Sequence, residues 1–565
     1  MNALEKAKNL VAALLLAGAW SAAPAQAPAD PASPASWAPI DPARMSQEVR
    51  ALASDELQGR APGTEGETQT IAWLTQQLQS LGLEPGGENG GWTQTVPMIR
   101  TQIQPGATYA IASHGATIPL QAPRDLYLGT TRDADRARIA AAPIVFVGYG
   151  VTAPERQWDD FKGVDLRGKV ALFLVNDPDF EAAEGDPVAG RFGGQAMTYY
   201  GRWTYKFEEA ARRGAIAAVV IHETAGAGYG WNTVQAPAGE SYALAQAAGA
   251  PPPLLQGWMQ RDVAADLFRR AGLDFEAVKR QARTAAFRPI DLGATFTADA
   301  AVSVDHLQSH NVLARLPGAS HPDETVMFGA HWDAYGIGPA DAQGNRIRRG
   351  AADDGTGVAG LLEIARAFLA GPRPARSLVF AFWTGEERGL LGSAYYADHP
   401  LYPVETTAAN ITLDTLQTAG PSRDVVLIGA GQSDLEDLLT RTAAGQGRTI
   451  TPDSHPERGL FYRADHFPLA RRGVPVLLLM ALGGGPDLVE GGREAGDRWV
   501  SDYTAHCYHQ ACDAWSADWD LRGAAQDVAL AYRIGGALAN SRAWPDWRSQ
   551  SEFRSVRSET ASTRR

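Results

Sequence analysis

His331-Trp332-Asp333, Gly350-Ala351-Ala352-Asp353-Asp354-Gly355-Thr356-Gly357 and Thr384-Gly385-Glu386-Glu387 are three short polar clusters, each following or closing an apolar run. Residues 325–329 (TVMFG) lead into His331, and residues 377–383 (SLVFAFW) lead into the glutamate pair. Runs of this length and composition read as buried strands. One imidazole and several carboxylates therefore collect at strand ends, where open α/β sheets bind ligands. Carboxylates gathered in one place repel and do not all ionise without a positive partner, so the clustering points to cations.

The individual residues divide into roles. His331 and Asp333 are two apart, so on an extended segment they face the same side. The imidazole can bind a metal while the carboxylate of Asp333 takes its other N–H. Asp353 and Asp354 lie among glycines that let the backbone turn tightly, and one such carboxylate can bridge two cations. The same place also suits an acidic cap for the helix that follows. Of Glu386 and Glu387, one can ligate while the other moves a proton. Asp414 closes the strand-like run at 410–413 and so reaches the same sheet edge. A second imidazole comes from His509, with His506 and His466 as competitors that spacing does not separate.

Outward from these clusters, strand and helix alternate from about residue 303. Strands are expected at 311–316, 325–329, 377–383, 410–413, 425–428 and 474–480, and helices at 357–369, 388–398, 435–444 and 524–538. This rhythm predicts an α/β fold with a mixed, mostly parallel sheet sandwiched by helices. Composition changes between about 115 and 295, where short strands are separated by Gly- and Pro-rich loops. That stretch reads as a smaller β-rich domain set into the chain. The expected divisions are 1–27 signal peptide, 28–115 first part of the main domain, 116–295 insert, 296–545 main domain, and 546–565 a flexible Ser- and Arg-rich tail.

The whole chain has 565 residues, a formal net charge of −13 and 45% hydrophobic residues. This acidity argues against nucleic acid or an anionic membrane as partner. Lys6 and Lys8 precede an apolar run at 9–20 that is too short to span a bilayer, which reads as an export signal and a periplasmic or extracellular destination. No later run reaches membrane-spanning length, so no membrane insertion is expected after signal removal. Cys507 and Cys512 are the two cysteines; a disulfide, two free thiols and thiolate ligands all remain open.

Taken in order, His331-x-Asp333, Asp353-Asp354-Gly355-Thr356-Gly357, Glu386-Glu387-x-Gly389-Leu390-Leu391-Gly392-Ser393, Asp414 and Tyr508-His509 resemble metallopeptidase family twenty-eight, the co-catalytic di-zinc aminopeptidases. Asp55-Glu56-Leu57-x-Gly59-Arg60-x-Pro62-Gly63-Thr64 is similar to the family's N-terminal stretch. Residues 164–171 (VDLRGKVA) resemble the protease-associated domain that many members carry as an insertion. The resemblance implies a zinc exopeptidase-like fold and two Zn2+ ions. His331, Asp353 and Asp414 would hold one, and Asp353, Glu387 and His509 the other. It implies a cis Asp353–Asp354 bond, Glu386 as general base to a metal-bridging hydroxide, and Tyr508 at the oxyanion. Substrates would be peptides with a free N-terminus. Ala352, Thr356 and Ala464 depart from the family's usual residues without removing a ligand. Glutaminyl cyclase-like or carboxypeptidase chemistry on the same fold, and a non-catalytic binding protein, are the alternatives.

Overall fold

Strand Ile290–Leu316 organises the molecule: its 27 residues run through two sheets and belong to both hydrophobic cores. The computed structural model describes residues 37–235, 239–245 and 249–564. The expected signal peptide at 1–27 lies outside the described residues. Among the described residues no helix is long and apolar enough to cross a membrane.

The C-terminal half of the long strand pairs antiparallel with Arg376–Trp383. Beyond it, His321–His331, Thr407–Leu413 and Val476–Leu479 follow, all parallel to Arg376–Trp383. On the other side the long strand pairs antiparallel with Thr93–Ile103, which pairs with Glu240–Leu244. The sheet is mixed, as expected, but "mostly parallel" describes only the four strands that carry the candidate site. The antiparallel part is missed in the sequence reading, which expects a strand only at 311–316 and sets a domain boundary after 295, inside this continuous strand.

Every residue of Arg376–Trp383 and Thr407–Leu413 is buried, as strands covered on both faces require. One face is closed by helices Pro42–Leu52, Gly355–Leu369 and Arg522–Ala539 around Phe328, Phe380, Leu361 and Val528. The other is closed by helices Leu391–Asp398 and His466–Arg471 with Trp383, Tyr396 and Phe467. Helix Gly355–Leu369 begins where Asp354 accepts the N–H of Gly357 at 2.8 Å, a side-chain cap. The helix expected from Arg388 begins only at Leu391, because 386–390 form a turn that ends with Leu390 at φ 61°.

A second core takes in residues from Tyr109 to Val302, wider at both ends than the expected 116–295. Strand Thr108–Ser113 pairs with residues 294–299 of the long strand, so it packs with this second sheet. Around it lie parallel strands Val170–Leu174, Ala217–His222 and Leu255–Gln260, with helices Arg261–Arg270 and Phe275–Ala282.

Residues 546–565, expected as a flexible tail, are a correction. Trp547 and Phe553 are buried, the Trp547 ring stands 4.8 Å from that of Phe553, and its Nε1 donates to the Gly473 carbonyl at 2.9 Å. Arg557, buried, donates to the Thr407 carbonyl at 3.1 Å. Three anchors among many Ser and Arg residues leave the average composition polar while fixing the segment. Replacing Trp547 with Ala should cost about 3–5 kcal/mol, measured as a lowered denaturant midpoint; no change would mean that the segment contributes nothing to stability.

Candidate metal centre

The four parallel strands end at one edge, and the polar clusters project from it. His331 is the last residue of its strand, and Asp414 directly follows Leu413 in the neighbouring one. Glu386 and Glu387 follow Trp383 after two residues. Asp353 precedes the helix cap, and the Asp353–Asp354 bond is cis. His509 arrives on the loop after helix Gly492–Asp502.

Two groups of potential ligand atoms result. One is His331, Asp353 and Asp414, and the other is Asp353, Glu387 and His509; within each, the atoms lie within 4.8 Å of one another. Asp353 is shared, with its oxygens divided: Oδ1 is 3.0 Å from His331 Nε2, and Oδ2 is 3.3 Å from His509 Nε2. His509 Nε2 is also 3.0 Å from Glu387 Oε2. The donor set fits two divalent cations of zinc's preference, with imidazole nitrogens and carboxylate oxygens in each group.

The electrostatics follow from burying several acids beside two imidazoles. Burial pushes the Asp414 carboxyl up to about 7, with Asp353 adding to the rise. Burial, opposed in part by His509 and reinforced by Asp353, raises Glu387. Burial works against a charged His509, but Glu387 and Asp353 outweigh it and raise the ring to about 9. Burial also opposes ionised Asp353, yet hydrogen bonds from His331 and His509 carry it below the usual carboxylate range. Cations bound here would neutralise the same buried acids whose charge burial disfavours.

Asp333 sits differently from the expected arrangement. His331 Nδ1 is 3.0 Å from the backbone carbonyl of Asp333 and 3.7 Å from its carboxylate. A carbonyl only accepts, so Nδ1 carries a proton there, and Nε2 is the nitrogen that faces the centre and would give its lone pair to a bound cation. The carboxylate instead accepts the backbone N–H of Glu386 at 3.1 Å. Asp333 thus orients both the ligand and the free glutamate, one through its backbone and one through its side chain.

Glu386 belongs to neither ligand group. Its Oε2 is 3.9 Å from His331 Nε2, and its side chain keeps about a tenth of its surface exposed. Burial raises its pKa well above the usual value, His331 opposes the rise, and Asp414 and Glu387 add to it. The Tyr508 ring lies 3.7 Å from that of His509, and its hydroxyl is 3.4 Å from Arg463 Nη2. Tyr335 covers His509 from another side at 4.6 Å.

Of the competing imidazoles, His506 is exposed and His466 is buried against Phe461 at 4.9 Å, where burial lowers its pKa to about 3. Asp465 is beside the centre and outside both groups, with Oδ1 accepting from Ser393 Oγ at 2.5 Å. Cys507 and Cys512 form a disulfide that closes the loop carrying Tyr508 and His509.

Two supporting residues, Arg60 and Asp513, have no role in the sequence reading. Arg60 is fully buried and donates to the carbonyls of Trp332, Leu52, Arg349 and Gly350 at 2.6–2.8 Å. It ties the His331 loop to the Asp353 loop. Asp513 accepts the N–H groups of Ala352 at 2.8 Å and Asp353 at 3.1 Å, and the Tyr503 hydroxyl at 3.1 Å. Both act on backbone, which spacing does not reveal; their nearness to quoted motifs was the available signal. In Asp513→Asn one accepting oxygen becomes an NH2 group, which can face a backbone N–H. Metal affinity should fall about 10–100-fold, read by chelator competition; unchanged affinity would remove Asp513 from the support of Asp353.

Residues 311–533 match the family model described as Peptidase family M28. Leupeptin-inactivating enzyme 1 of Streptomyces exfoliatus is 27% identical over 245 residues, 42% of this chain and 50% of that protein. Aminopeptidase Y of Saccharomyces cerevisiae is 28% identical over 227 residues, 38% of this chain and 37% of that protein. The matches thus span half or less of these curated relatives. The solved structure titled "Aminopeptidase from Aneurinibacillus sp. strain AM-1" is 19% identical, covering 91% of this chain and 95% of that one with a TM-score of 0.48. Residues 311–533, which hold every ligand residue of both groups, are thus the part of the chain that is similar to peptidase family M28.

Proposed function

We propose that this protein is an exported di-zinc aminopeptidase that removes N-terminal residues from peptides. The observation that carries this reading is Asp353, shared by two ligand groups, with Glu386 beside them and bound to neither. His331, Asp353 and Asp414 would hold one zinc, and Asp353, Glu387 and His509 the other. Two such ions supply Lewis acidity toward water and toward a peptide carbonyl.

The remaining work falls to this chain's own side chains. Glu386 accepts a proton from the attacking water at a carboxylate oxygen and passes it to the leaving amine. Asp333 fixes the position of Glu386 through its backbone N–H. The Tyr508 hydroxyl receives a hydrogen bond from Arg463, which leaves its own proton to donate toward the developing oxyanion. The free α-amine of the substrate is cationic and is drawn to the acidic edge.

Export is supported by the disulfide, since such bonds persist in oxidising compartments. The reading of the insert as a protease-associated domain is supported by residues 164–171, which lead into strand Val170–Leu174 of the second sheet.

A panel of aminoacyl-nitroanilides beside N-blocked peptides, with and without chelator, tests the reading. Release from free-amine substrates only, lost with chelator, is expected. Cleavage of blocked peptides, or cyclisation of N-terminal glutamine, would move the protein to another chemistry.

A further inference from the structure

Two guanidinium groups stand close enough to repel each other where the insert touches the main core. Arg202 directly precedes helix Trp203–Arg212 of the insert, and Arg463 follows the turn Leu460–Tyr462 of the main domain. The contact between these segments is well defined. The N–H of Met197 donates to the Pro456 carbonyl at 3.1 Å. The Tyr199 ring packs 6.0 Å from Tyr462 and 4.9 Å from Phe467. A Cβ on Gly459 would stand 3.3 Å from Arg202 Cδ, so the Arg202 side chain lies against the turn that carries Arg463.

Arg202 is 6% exposed, and its Nε has no hydrogen-bond partner. Among the described residues, no carboxylate lies within ion-pair distance of Arg202 or Arg463; Glu386 acts on Arg463 only from farther away. Burial, and then the charge of Arg463, lower the Arg202 pKa to about 10, so both groups are cationic at neutral pH. Arg463 reaches the Tyr508 hydroxyl, and the Tyr508 ring rests on the ligand His509. The pair is therefore one side chain away from the metal centre.

A buried cation without a counter-charge is unfavourable unless an anion completes it. The planar guanidinium fork matches a carboxylate with two parallel hydrogen bonds. We propose that Arg202 and Arg463 form a subsite that seats a carboxylate of the peptide substrate, either an acidic side chain or the C-terminus of a short peptide. This rests on the aminopeptidase reading for the identity of the ligand. It gives the insert a direct part in substrate choice, because one of the two cations comes from it.

The test uses the full protein with both metals. Matched peptides differ by one charge: Gln against Glu at the first or second residue, and C-terminal amide against free acid. In at least one pair the carboxylate member should be favoured at least about tenfold in kcat/KM, through KM; the pair that responds identifies the source of the carboxylate. Arg202→Gln should bring that ratio close to one, and Arg202→Lys should keep part of it, which separates charge recognition from misfolding. Calorimetry with glutarate against glutaramide gives a reading independent of turnover: glutarate should bind and weaken at least about tenfold in Arg202→Gln. Peptides cleaved without any charge preference, or glutarate affinity unchanged by Arg202→Gln, would overturn the subsite. Glutarate binding that depends on Arg202 without cleavage of any peptide would keep the subsite and end the aminopeptidase reading.

Discussion

Glu386→Gln should retain both metal ions and lose turnover by about 10^2–10^4-fold. The substitution keeps size and shape, and the backbone N–H that Asp333 holds is untouched. Glu386 is in neither ligand group, so metal content should remain at the wild-type level. What disappears is an oxygen able to take a proton. The loss should fall on kcat and kcat/KM together, because the interaction is made in the transition state. Metal analysis and steady-state rates on one preparation check this. A rate within tenfold of wild type would assign the proton transfer elsewhere, with Asp465 next in position. Loss of metal would make Glu386 a ligand.

The second large effect belongs to Asp353. Its two oxygens face two different imidazoles, so Asp353→Ala should empty both sites, whereas Glu387→Ala should empty only the one it shares with His509. Without Asp353 the two imidazoles lose the anion between them, and the remaining buried acids have no common cation. Activity should fall at least about 10^3-fold, the loss expected when several kcal/mol of Lewis-acid stabilisation is removed. Metal content per chain in the two variants distinguishes the cases. Retention of one tightly held ion in Asp353→Ala would show that the groups are independent and that Asp353 does not bridge.

The parts of this centre that were legible in the sequence are those placed by strands. His331, Asp414 and the glutamate pair end or follow apolar runs, and parallel strands ending at one edge bring such residues together. The glycine-rich turn before an amphipathic helix pointed to the pair Asp353-Asp354, and the resemblance chose Asp353 of the two. His509 was legible only through its resemblance, since His506 stands three residues away and only the fold of the disulfide-closed loop turns one ring inward. Arg60 and Asp513 remained without a role because they bind peptide groups, which any sequence presents. Of the continuous strand 290–316 only 311–316 was legible, because its earlier part alternates buried and exposed residues with many polar positions and gives no apolar run. The C-terminal segment was misread because Trp547 and Phe553 are sparse among polar neighbours. The pair Arg202 and Arg463 is separated by hundreds of residues, and no local pattern joins them.

Metal titration of the chelator-stripped protein, followed by calorimetry and by recovery of peptide hydrolysis, tests the central claim most directly. Two zinc ions per chain should bind, with hydrolysis returning as the pair of sites fills. Saturation at one ion per chain with full activity would contradict a centre built around a shared Asp353.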